Sequence, residues 1–429
     1  MSFILIIITF FFVFLLIKNF SKGVILTTYT VFFLNYLSTG IPGVRLFYLL
    51  VAVMIPLFLY HVYIKRDIKL YEKYPPTILF ASFFISGCYL ITNFYAIEKQ
   101  TVTIIVNLMC YFVYPYIFWH VVNTKEKLTN LLKGIIILFI IAVVYTFIEV
   151  ALGNNPLTVF MLDNGFNEGL LFDREQVRMG FKRCNSIFEY VSTLGFLSAS
   201  AFFMFFFLRY VYKFSDMKKW LKYLLCLLPV CIFFTGTRSQ MLAFLVCFFP
   251  LLFHGKFYRT SIFWIYLGLI IIALPFIIEP ATILINSILE SDSSQEIRGS
   301  STQMRQIQLE IVLSYLQQSP IWGNGRLYIW NHVEPDNPAL YGAESMWFPL
   351  LVDYGIMGAI SFLTLFVACF WELMKCNKYF VFFPLAYLTA KTISVTIGIE
   401  FYTLIIFSLL LIKIHAYYSP PNIPKKKYL

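Results

Sequence analysis

A chain of 429 residues with 60% hydrophobic, 20% aromatic and only 13% charged side chains departs from the roughly 25% charge of a soluble globular domain, which excludes an ordinary water-soluble enzyme. The net charge of +11 comes from basic residues scattered between apolar stretches rather than gathered on one face, so no nucleic-acid partner is expected. What remains is an all-α, polytopic integral membrane protein bathed in membrane lipid, with about thirteen transmembrane helices (range 12–14) in a single transmembrane domain over 1–429.

In chain order, spans are predicted over 3–17, 23–40, 44–64, 76–96, 101–122, 132–152, 185–208, 221–236, 238–253, 261–279, 346–371, 379–397 and 400–416. The first has no basic residue before it and no small-residue cleavage site after it, so it reads as a retained helix rather than a signal peptide. With the N-terminus outside, 22 of the 33 basic residues fall on one side, which is therefore cytoplasmic. Those 22 are 19 Lys and 3 Arg, whereas the 11 outer ones are 8 Arg and 3 Lys. Orientation needs only charge, while the planar guanidinium fork suits phosphate and carboxylate, so the outer surface points to an anionic ligand. Only 153–184 and 280–345 are long enough to form more than a turn, and both are predicted as extracytoplasmic loops that carry the working parts. Most of the eight cysteines lie in apolar spans, Cys184 alone lying near the outer side, and no disulfide framework or metal motif follows.

Arg174, Arg178, Lys182 and Arg183 place four cations in ten residues of the first loop, a density suited to a polyanion. Glu189 follows inside the predicted 185–208 span, where a buried acid needs a cation partner. Thr235-Gly236-Thr237-Arg238-Ser239-Gln240 reads as the outer turn of a helical hairpin. In the second loop, Ser300-Ser301-Thr302-Gln303 offers a capping box, followed by an apolar stripe of Met304, Ile307, Ile311, Tyr315 and Leu316 that predicts an amphipathic helix on the membrane. Arg305 in its first turn and Arg298 just before it would join the helix dipole to make a phosphate site. Beyond the tight turn Ser319–Gly325 come His332, the only outer histidine, and Glu344 at the mouth of the 346–371 span. Asp353 follows within that span, and Lys391 is its predicted ion partner.

This order of features, over about residues 174–360, resembles the O-antigen polymerase and O-antigen ligase family of polytopic membrane glycosyltransferases. The resemblance rests on four places: Arg178, Gly180, Phe181, Asn185 and Ser186; the T-G-T-R turn Thr235–Arg238; Arg305 opening a helix that leads to Pro320, Gly323 and Gly325; and Glu344 followed by Tyr354, Gly355, Ile356 and Gly358. It implies a bacterial inner-membrane enzyme, active at its extracytoplasmic surface and independent of metal and cofactor. Its implied partners are an undecaprenyl-diphosphate-linked oligosaccharide donor and acceptor, with room for a chain-length regulator protein. The reaction needs cations for the diphosphate leaving group and a base for the acceptor hydroxyl. Arg238, Arg305 and Glu344 are the candidate catalytic residues, and Arg178, Arg183, Arg298, His332 and Glu189 the candidate binding residues. The base is Glu344, His332 or no protein group at all. Polymerisation of repeat units is the first reading, because ligases of the family usually carry a His where this chain has Glu344. Two alternatives stay open: an O-antigen ligase acting on lipid A-core, and a lipid-linked oligosaccharide flippase using Asp353, Lys391 and Glu189.

Overall fold

The computed structural model describes residues 2–34, 37, 39, 45–70, 73–96, 98–163, 177–178, 181–253, 259, 263–264, 302–340, 345–393 and 401–419. In chain order the helices are α1 (Ser2–Lys18), α2 (Phe20–Phe33), α3 (Leu46–Ile64), α4 (Pro76–Tyr95), α5 (Thr101–Val121), α6 (Lys125–Leu152), α7 (Pro156–Asp163), α8 (Val191–Val211), α9 (Lys218–Phe234), α10 (Arg238–Phe253), α11 (Thr302–Leu316), α12 (Trp347–Cys376), α13 (Phe382–Ile393) and α14 (Phe401–Tyr418). Between α7 and α8, two-residue strands β1 (Val177–Arg178) and β2 (Phe181–Lys182) pair antiparallel.

Among the described residues the chain is all-α apart from that hairpin, but the expected number of spans is corrected. Among the described residues, seven helices are long and apolar enough to cross a membrane: α3, α4, α5, α6, α8, α12 and α14. The predicted spans at 3–17, 23–40, 221–236, 238–253 and 379–397 correspond to helices of 17, 14, 17, 16 and 12 residues. At 1.5 Å per residue these reach only about 18–26 Å, against a hydrocarbon core of ~30 Å. Hydropathy records how apolar a stretch is and not where its helix stops. The predicted span over 261–279 lies outside the described residues except at 263–264.

Two helices form the centre: the most apolar stretch of α8 is 89% buried and that of α14 78%, whereas that of α3 is 28% buried. The run Phe202, Phe203, Phe205, Phe206 and Phe207 is buried, with Phe207 edge-on to Phe380 at 4.9 Å and Phe202 edge-on to Phe244 at 5.1 Å. Since lipid tails are as apolar as side chains, such packing and not water exclusion holds these helices together. Ser200 and Ser408 donate to the carbonyls of Phe196 and Leu404, four residues back, so the central helices carry hydroxyls without orphaning them.

Polar contacts gather at two opposite ends of the bundle. One holds lysines: Lys65 with Asp67, Lys133 with Asp216, and Lys375 with Glu372, which also accepts from Thr77. The other, where α3, α5, α8, α12 and α14 begin and α4 and α6 end, holds the segments singled out by sequence.

Candidate active site

The T-G-T-R turn joins α9 to α10. Gly236 adopts φ 59°, and the Thr235 and Thr237 hydroxyls share a hydrogen bond of 2.6 Å across it. Arg183 reaches in from the segment after β2 and donates Nε to the Thr235 carbonyl at 3.0 Å, while the Cys184 amide donates to the Phe234 carbonyl at 3.0 Å. The turn and the Arg183–Ser186 stretch, about fifty residues apart, are thus one unit. Arg238 is the first residue of α10 and is partly exposed.

The Asn185–Ser186 patch is fixed from α6. Glu149, buried in the last turn of that helix, accepts the Ser186 amide at 2.7 Å and the Asn185 amide at 3.3 Å. Asn155 donates to the Asn185 side chain at 2.8 Å and to the Ser186 carbonyl at 2.7 Å, and caps α7 through the Thr158 amide. Ser186 is held at φ 54°, a conformation costing a non-glycine residue about 1–3 kcal/mol, which the bonds to the Glu149 carboxylate offset. Glu189 lies in a bend two residues before α8 rather than inside that helix, and faces Arg45 at 3.7 Å. The predicted start of the span at 185 is displaced because the backbone of 185–186 is taken up by Glu149 and Asn155.

A second unit is made of backbone. Gly355, at φ 66° and ψ −165°, breaks the helical path of α12, and such a break strands carbonyls before it and amides after it. The Pro320–Gly325 loop supplies the partners. Asn324 and Gly325 amides donate to the Val352 and Asp353 carbonyls at 3.0 and 2.9 Å, and the Ile356 and Met357 amides donate to the Pro320 and Ile321 carbonyls at 2.9 and 3.1 Å. A Cβ on Gly323 would lie 2.5 Å from Asp353 backbone, and one on Gly355 2.5 Å from the Ile321 carbonyl. Asp353 then closes the loop from its far side, accepting the Leu327 and Ile329 amides at 2.8 and 3.0 Å. The acid expected to pair with Lys391 is a clamp on backbone amides.

Around this clamp, α11 follows the predicted helix, and Ile311 and Tyr315 of the expected stripe pack with it against the loop and α12. Gln308 and Val312 are buried on the same face, Gln308 donating to the Ala339 carbonyl at 2.8 Å, while Ile307 of the expected stripe is exposed. Arg326 donates to Gln100 at 3.0 Å, and His332 pairs with Glu98 at 3.3 Å with its ring tilted against Tyr328.

Residues 223–363 match the sequence model of the O-antigen ligase family. This part of the chain is similar to the O-antigen ligases. The matched stretch contains the T-G-T-R turn, α11, the glycine loop and the kink of α12, so it takes in the second unit and the turn of the first, although not the Arg183–Ser186 segment packed against that turn. A comparison with curated proteins finds no match.

Of the sequence-predicted site residues, Arg183, Arg238 and Glu189 lie at the arginine-rich end around the first unit, and His332 beside the second. Arg178 lies in β1 and Arg305 in the first turn of α11, while Arg298 and Glu344 lie outside the described residues. Arg183 is occupied by the Thr235 carbonyl and so acts first as a support of the turn. Four residues that sequence reading did not single out for these contacts carry the geometry: Glu149, Asn155, Arg45 and Arg326. The sequence signal for Glu149 is a lone acid in an apolar run; Arg45 and Arg326 stand out only as members of the arginine-rich side.

Proposed function

We propose that the protein transfers a glycan from an undecaprenyl-diphosphate carrier to an acceptor hydroxyl, as an O-antigen ligase does with lipid A-core. The observation that carries this reading is the family match over 223–363, which falls on the two segments whose glycines and polar side chains build the arginine-rich end. The face holding them is the extracytoplasmic side of a bacterial inner membrane, because the lysines lie opposite.

In this reaction the acceptor oxygen bonds to the anomeric carbon, the bond from that carbon to the diphosphate breaks, and the acceptor proton leaves to a base. Negative charge grows on the departing diphosphate. Arg238 stabilises it from the turn, with Arg178, Arg305 and Arg298 as further cations and Arg183 holding the turn in place. Glu344, three positions before the start of α12 in the sequence, takes the proton, with His332 in the helical turn Ile329–Val333 as the other candidate.

Polymerisation of repeat units is the second reading, favoured by Glu344 standing where family ligases usually carry His. Purified protein given a synthetic undecaprenyl-diphosphate repeat unit together with lipid A-core decides between them. A single transfer to lipid A-core supports the ligase reaction, a ladder of lipid-linked polymer supports the polymerase, and no product with either acceptor refutes glycosyl transfer.

A further inference from the structure

Between the two units lies a cluster that neither the turn nor the clamp uses. Arg45, just before α3, meets Glu189 at 3.7 Å, too far for a hydrogen bond, and its Nη1 is buried without a hydrogen-bond partner among the described residues. Arg326 spends one donor on the neutral Gln100 amide, and a guanidinium has five N–H groups. Tyr48 is within electrostatic reach of both arginines, and Tyr402 of Arg45. Tyr111 stacks on Tyr402 with ring centroids 6.1 Å apart and lies within reach of Arg326. Its hydroxyl is buried with no hydrogen-bond partner among the described residues, and the residue is 3% exposed. An orphaned hydroxyl and an orphaned guanidinium nitrogen in one polar cluster are costly unless something else satisfies them. Half-buried Tyr48 offers a ring face and a hydroxyl, which suit a sugar, with the Tyr111 hydroxyl behind it; two guanidinium groups within electrostatic reach of Tyr48 suit an oxyanion.

We propose that this cluster is a subsite for an acidic sugar of the transferred glycan, with the ring against the tyrosines and a carboxylate or phosphate substituent held between Arg45 and Arg326. The assignment to the transferred glycan rests on the transfer reading above; binding of the sugar does not require turnover.

The test is calorimetric binding to the full-length protein in lipid nanodiscs, using a disaccharide ending in glucuronic acid, the methyl ester of that uronate, and a sugar 6-phosphate. Charge-assisted bonds to the substituent are expected to make the acid, the phosphate or both bind about tenfold or more tightly than the ester, and the tighter of the two identifies the substituent. Arg326→Lys keeps the charge but loses the fork, and should remove that preference. Tyr111→Phe is the sharper variant. If the hydroxyl has no part in binding, its removal leaves affinity unchanged whatever happens to the melting temperature; the subsite account expects the melting temperature to hold or rise, since the group is unpartnered, while affinity for the acidic sugar falls. Equal binding of acid, phosphate and ester, an unaffected Tyr111→Phe protein, or displacement of the acid by inorganic diphosphate at equal concentration would overturn the proposal. A protein that binds the acid but transfers no glycan refutes the transfer reading alone, and one that transfers glycan but ignores the acid refutes the subsite alone.

Discussion

The T-G-T-R unit and the glycine-loop unit lie at the same end of the bundle but are held by opposite means. Side chains hold the first: Arg183 on a carbonyl, Glu149 on two amides, Asn155 on the patch between. Backbone holds most of the second, where the loop replaces the hydrogen bonds that α12 gives up at Gly355, with the Asp353 carboxylate as a side-chain brace. The first unit should therefore fail when a polar group is removed and the second when a methyl group is added. The two means complement each other: the backbone clamp fixes where α12 bends, and the side-chain network leaves Arg238 partly exposed at the end of a braced turn.

The largest effect is expected at the clamp. Gly355→Ala and Gly323→Ala each force a positive φ on a residue with a Cβ, about 1–3 kcal/mol, and add a backbone clash at 2.5 Å. Both should abolish monodisperse protein on size exclusion, whereas Gly87→Ala, with nothing within 4 Å of the added methyl, should melt at or above the wild-type temperature. If the two clamp variants behave like Gly87→Ala, the backbone account of the second unit is wrong.

Next in size is Glu149→Gln, which replaces one of the two oxygens that accept the Asn185 and Ser186 amides with an NH2 donor and should cost about 1–3 kcal/mol, read as a lower melting temperature. Cys184 reports the same unit locally. Burial pushes its thiol up to about 12, so the reactive thiolate is scarce at neutral pH and grows only as the pH rises towards that value. Wild-type Cys184 should label slowly with maleimide at pH 7, and Glu149→Gln should speed it. Labelling at the rate of an exposed thiol in the wild type would show that the segment is not held as described.

The smallest effect is expected for His332→Ala. Its pair with Glu98 is between side chains that are 37% and 56% exposed, so it contributes under about 1 kcal/mol. A melting temperature within error of wild type, with glycan transfer reduced, would move His332 from the periphery into the reaction.

Much of this end of the molecule was legible in the sequence because its signals are local. Gly236 and the flanking threonines announce a turn, Ser300 to Gln303 announce a helix that is found at Thr302–Leu316, and the excess of arginine marks the face. What was hidden depends on distant partners. Asp353 reads as an intramembrane ion, and only the fold brings it the amides of Leu327 and Ile329. Glu189 reads as a residue of a helix that in fact begins at Val191, because Glu149 claims the preceding backbone. The number of spans failed for a related reason: apolar content is written in the sequence, whereas the length of unbroken helix is settled by packing, as in α2 and α13.

The central claim is that the braced turn presents Arg238 to the leaving group, and the rate of glycan transfer by Arg238→Lys measures it most directly. The variant keeps the charge at the head of α10 and loses the fork. With a melting temperature equal to wild type, transfer from undecaprenyl-diphosphate-linked glycan to lipid A-core should fall by about a hundredfold, the scale of losing one preorganised donor to a developing charge. Transfer at the wild-type rate would contradict the account.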